Sequence, residues 1–101
     1  MNCVKAFKEA NALLDNLLRA VKESGKGRRV ATRSLLADAA LSAVELSKVA
    51  PGMTKTLSLQ IAREAASLSN RPGQSISPRK IIELRELAKD AKRQAEIRCR
   101  V

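Results

Sequence analysis

The stretch that decides the fold is Thr32–Leu68, TRSLLADAALSAVELSKVAPGMTKTLSLQIAREAASL. On one side of Pro51-Gly52, residues Leu36, Ala39, Ala43, Leu46 and Ala50 recur at steps of three and four, with Leu35 and Val49 beside them. On the other side, Leu57, Ile61, Ala65 and Leu68 do the same. That spacing lays apolar side chains along one face of a 3.6-residue helix. Proline cannot continue the hydrogen-bond ladder and disfavours helical geometry at Ala50, so the pattern predicts two helices with a sharp break between them. Thr32 and Thr54 are the expected N-caps.

Working outward, the same periodicity predicts a helix on each side. The first runs from about Asn2 to Ser24, with Val4, Phe7, Leu14, Leu18 and Val21 as its apolar stripe and Asn11 in the same line. It ends at Ser24-Gly25-Lys26-Gly27, where the glycines supply the conformational freedom that terminates a helix. Ser69-Asn70-Arg71-Pro72-Gly73-Gln74 reads as a loop. Ser77-Pro78 then reads as a cap followed by proline in the first helical turn, where proline is preferred. The last helix runs to about Arg98, with Ile81, Leu84, Ala88, Ala91 and Ala95 inward. No segment alternates as a strand does. The expected fold is all-α, a small antiparallel up-down bundle of about four helices in a single domain spanning 1–101.

A chain of 101 residues has room for one core. It starts at Met1 with no tag or linker, so a complete small product is expected. Burial at this size is thin, roughly 60–65% of the unfolded surface. Much of the 45% apolar fraction is alanine, and Phe7 is the only aromatic residue. A homo-oligomer of two-helix hairpins sharing a core is therefore the rival architecture, because it buries the same stripes.

Twenty Lys and Arg against ten Asp and Glu give a formal charge of +10 and a pI near 10.5. Such a surface favours DNA or RNA phosphates, or an acidic face of another protein. The apolar runs are far shorter than the ~20 residues a spanning helix needs, and the N-terminal region lacks the apolar core of a signal peptide. A cytoplasmic location is the expectation that follows.

In an up-down bundle the first and third loops lie at the same end. Lys26, Arg28, Arg29 and Arg33 surround the first loop, and Arg71, Arg79 and Lys80 surround the third. These seven bases are the candidate nucleic-acid-binding residues, with Arg19 and Lys22 just before them. Helix N-termini near Thr32 and Ser77 would add positive dipole ends and backbone N–H donors for phosphate. A second basic strip, Arg85, Lys89, Lys92, Arg93, Arg98 and Arg100, interleaves with Glu83, Glu86, Asp90 and Glu96, so local helix pairing is expected there. A helix-turn-helix across residues 61–82 is disfavoured, because its turn is usually 3–4 residues and here about eight intervene.

Catalysis is not expected. There is no histidine, and two cysteines cannot supply a four-ligand zinc site. Gly25-Lys26-Gly27-Arg28-Arg29 matches no phosphate-binding loop and follows no strand. No cofactor is implied. Without Trp or Tyr there is no platform for stacking single-stranded bases, so nucleic acid would be met through phosphates and shape. Cys3 and Cys99 fall at the pole opposite the basic loops, where they can approach each other; a terminal disulfide is the alternative, but free, partly packed thiols are the expectation, since bridges are rare in a reducing cytosol. The functional expectation is a basic accessory or regulatory protein contacting nucleic-acid phosphates; the alternative is an adaptor or inhibitor docking on an acidic protein.

Overall fold

The computed structural model describes residues 1–71 and 76–99. Pro72, Gly73 and Gln74 of the expected third loop, and Arg100 of the last-helix strip, lie outside the described residues. Among the described residues four helices follow one another: α1 (Cys3–Gly25), α2 (Arg29–Val49), α3 (Met53–Ser69) and α4 (Pro78–Cys99). Among the described residues α1 packs on α2 and α4, and α3 packs on α2 and α4, with no diagonal pairing. That is the square up-down bundle. It is slender, 46 × 19 × 17 Å, because so many of its inward side chains are alanine.

Every helix turns a narrow three-four seam inward. The seams are Ala6, Ala10, Leu13, Leu17, Ala20 on α1; Thr32, Leu36, Ala39, Ala43, Leu46 on α2; Thr54, Ser58, Ile61, Ala65, Leu68 on α3; and Ile81, Leu84, Ala88, Ala91, Ala95 on α4. The buried hydroxyls find backbone acceptors, as burial demands. Thr32 Oγ1 donates to the Arg28 carbonyl at 2.7 Å and Ser58 to the Thr54 carbonyl at 2.6 Å. Thr54 Oγ1 reaches across to the Ala91 carbonyl of α4 at 3.5 Å.

The seams of α2 and α4 are those the periodicity predicts, and on α3 only Leu57 of the expected line is half-buried instead of buried. The seam of α1 is not. Its expected stripe lies about 100° round the helix: Val4 is 82% exposed, Phe7 and Leu18 are half-buried, and Asn11 is exposed. Leu14 and Val21 pack only against the core's edge. Alanines facing alanines bring the helices close, and a phenylalanine on that seam would hold them apart.

Two expected caps are also corrected. α2 starts three residues before Thr32, which belongs to the core. The cause is Gly27 at φ 72°, which lets the Arg28 amide bond the Glu23 carbonyl at 3.0 Å and the Gly27 amide bond the Ser24 carbonyl at 3.1 Å. This tight C-terminal motif turns the chain at once, and α2 begins on the next residue. Likewise α3 begins at Met53 after Gly52, and Thr54 is core. Pro78 opens α4 as expected.

The free-thiol expectation is overturned. Cys3 and Cys99 form a disulfide, with Cα atoms 6.0 Å apart. The antiparallel pairing of α1 with α4 brings the two helix ends within the distance a bridge requires.

Candidate anion-binding pole

At the end of the bundle opposite the disulfide, the α1–α2 turn meets Arg71, just after α3, and Ile76, just before α4. Ser24 Oγ, in the last turn of α1, donates to the carbonyl of Ile76, which is buried just before α4. Arg33 Nη2, in the first turns of α2, donates to the carbonyl of Arg71 just after α3. These two bonds tie the α1–α2 turn to the end of α3 and the entry to α4, so Lys26, Arg28, Arg29 and Arg33 stand at one pole with Arg71, Arg79 and Lys80.

The seven bases are not equivalent. Arg28 Nη1 pairs with Glu23 Oε2 at 3.3 Å, so α1's last turn supplies a carboxylate to the pole. Arg33 is half-buried and its guanidinium holds the Arg71 backbone, which makes it a strut. Lys26, Arg29, Arg71, Arg79 and Lys80 are exposed and form no ion pair among the described residues. Among the described residues none of the five has a carboxylate within ion-pair distance, so each keeps much of its field available to an approaching anion.

Because α2 opens at Arg29, that side chain lies in the helix's first turn instead of a loop. The first-turn amides lack intrahelical acceptors, and the helix dipole adds positive potential beside the Arg29 side chain. α4 offers the dipole at Pro78 without a proline N–H.

Arg63 was not legible as part of this pole. It lies two turns before Arg71 on α3, and α4 runs antiparallel beside it, so it lines a cleft of about 330 Å³ with Arg71 and Lys80. Ser67, Glu64 and Glu83 share that cleft. Three cations around two carboxylates leave it only modestly positive, which makes the open pole above it the stronger anion site. The eight-residue spacing of Arg63 and Arg71 was the available signal.

Three bases of the α4 strip pair locally as expected, whereas Arg85 and Arg98 form no ion pair among the described residues. Lys89 pairs with Glu86 at 3.1 Å, Arg93 with Asp90 at 3.3 Å, and Lys92 with Glu96 at 4.0 Å. Arg19, near the pole, pairs with Asp15 at 3.2 Å. Exposed pairs of this kind contribute about 0–1 kcal/mol each, but they cancel charge where they form.

Among the described residues no helix is long and apolar enough to cross a membrane, and no group of three or more metal-ligating side chains occurs. No protein-family model, curated protein or solved structure matches the chain.

Proposed function

We propose that this protein is a non-catalytic accessory or regulatory factor that contacts nucleic-acid phosphates through the basic pole. The observation that carries the reading is the gathering of Lys26, Arg29, Arg71, Arg79 and Lys80 at one end, exposed and without ion-pair partners among the described residues. A duplex is the favoured form. Its backbone can be met by bases alone, whereas single strands are usually held by aromatic stacking, and the chain has only Phe7. Recognition would rest on phosphates and helix shape, without base reading.

The test is binding of labelled duplex DNA and structured RNA across about 50–300 mM salt. Five phosphate contacts on duplex DNA predict a log-log slope near −4.5, from about 0.9 for each contact. The triple variant Arg29→Glu, Arg79→Glu, Lys80→Glu should abolish binding with helicity unchanged by circular dichroism. Binding that vanishes by physiological salt in the wild type sinks the reading and moves the search to an acidic protein face.

The compartment follows the bridge. Disulfides persist in oxidising surroundings. The closed Cys3–Cys99 form therefore belongs to such a compartment, whereas the cytoplasmic location expected from the sequence would hold the chain as its dithiol. Thiol trapping in cells distinguishes the two.

A further inference from the structure

The cleft of about 330 Å³ between α3 and α4 alternates in charge along its length. Arg71 and Lys80 stand at its pole end. One turn deeper come Ser67 of α3 and Glu83 of α4, followed by Glu64 and Arg63 on α3. Glu83 is three residues after Lys80 and four after Arg79, the spacings at which ion pairs form on a helix. It pairs with neither, whereas Glu86, Asp90 and Glu96 of the same helix each hold a base. Glu64, Arg63, Arg71 and Lys80 are likewise without an ion pair among the described residues. Both carboxylates are exposed, so the cleft presents acceptors as well as cations to whatever enters it.

We propose that this cleft selects RNA over DNA, setting backbone phosphates on its bases and ribose 2′-hydroxyls on its carboxylates. The inference rests on the phosphate-binding reading of the pole and names the nucleic acid that the pole takes. A carboxylate only accepts hydrogen bonds. The DNA backbone offers acceptors alone, so Glu64 and Glu83 oppose it with nothing gained in return. The RNA backbone interposes a hydroxyl donor between successive phosphates, and that 2′-OH is the group by which a protein tells the two apart. A bond from it to a carboxylate is charge-assisted and therefore among the stronger kind.

Spacing along the cleft fits this order. Arg63 and Arg71 are eight residues apart, about 12 Å along α3. A backbone laid between them passes at least one ribose, and Ser67 and Glu83 stand midway. The wide, shallow minor groove of an RNA duplex displays its hydroxyls at the surface, within reach of such an edge. No base need be read.

Fluorescence anisotropy on the intact, disulfide-closed protein tests it, with RNA, 2′-O-methyl RNA and DNA duplexes of one sequence at about 150 mM salt. RNA should bind at least about tenfold more tightly than DNA, the scale of one hydrogen bond to a charged group. The 2′-O-methyl duplex keeps the shape of RNA but loses the donor, and should bind no better than DNA. Glu64→Ala with Glu83→Ala changes only exposed side chains. It should bring the three affinities together, chiefly by tightening the DNA, with helicity unchanged by circular dichroism. Arg63→Gln should flatten the salt dependence for RNA by about one phosphate contact. Equal affinity of the wild type for RNA and DNA overturns the proposal and leaves the phosphate reading of the pole standing. So does a 2′-O-methyl duplex that binds as tightly as RNA, or a double alanine variant that keeps the RNA preference. Failure of every duplex to bind at this salt overturns both.

Discussion

Ser24 and Ile76, 52 residues apart in sequence, are joined by a hydrogen bond from the Ser24 hydroxyl to the Ile76 carbonyl. Through it the end of α1 fixes the entry to α4. Ser24→Ala removes the donor and leaves a part-buried carbonyl short of a partner. A loss of about 1 kcal/mol is expected. Urea unfolding would read it as a lower midpoint with an unchanged slope. An unchanged midpoint would mean that the two loops are held at the pole without this bond.

The disulfide closes almost the whole chain, with 96 residues of separation between Cys3 and Cys99. Chain-entropy arguments give about 4.7 kcal/mol for a loop of this order, and native bridges typically contribute about 2–4. Against an alanine-rich core that is a large share of the total. Reduction, or Cys3→Ser with Cys99→Ser, should lower Tm by roughly 10–30 °C. Calorimetry with and without reductant is the direct measurement. Equal Tm values would place the stability entirely in the helix seams.

Gly52 stands at φ 70°, ψ −138°, a backbone region that side chains oppose, and the Arg98 guanidinium lies where its Cβ would be. Gly52→Ala should cost about 1–3 kcal/mol. Adding Arg98→Ala removes the steric conflict but not the backbone strain, so most of the loss should persist. Gly25 is the contrast: it ends α1 in helical geometry with open space around it. Gly25→Ala should be neutral or stabilise by up to about 1 kcal/mol. Chemical denaturation of the three variants separates backbone strain from crowding.

The bundle was legible because Pro51-Gly52, Gly27 and Ser77-Pro78 punctuate four periodic segments, and loop parity alone gathers the basic residues at one pole. The division of labour among those bases was not. Whether Arg28 reaches Glu23, or Arg33 the Arg71 backbone, depends on side-chain reach around turns whose geometry periodicity does not specify. The caps failed for a related reason. Thr32 and Thr54 sit at seam positions, and a threonine near a helix start serves either as a cap or as a small core residue whose hydroxyl bonds a backbone carbonyl, that of Arg28 for Thr32 and, across the bundle, that of Ala91 for Thr54. The cysteine pair was visible as an approach of the chain ends, but an argument from compartment outweighed one from geometry.

The α1 seam tests how far packing overrides bulk. Periodicity weighted by side-chain size selects Val4, Phe7, Leu14 and Leu18, whereas the helix buries Leu13 and Leu17 among alanines. The two choices differ by about one residue in phase, and the facing alanines Ala39, Ala43, Ala88 and Ala91 decide between them by drawing the helices close. Leu13→Ala and Leu17→Ala should each cost about 2–5 kcal/mol, the loss of a buried leucine plus the cavity it leaves. Leu18→Ala should cost less, because its side chain is half-buried. Val4→Ala should fall within about 0.5 kcal/mol of the wild type under monomeric conditions, as exposed substitutions do. Urea denaturation at low protein concentration ranks the four. Greater losses at Val4 and Leu18 than at Leu13 and Leu17 would rotate α1 back to its bulkier face.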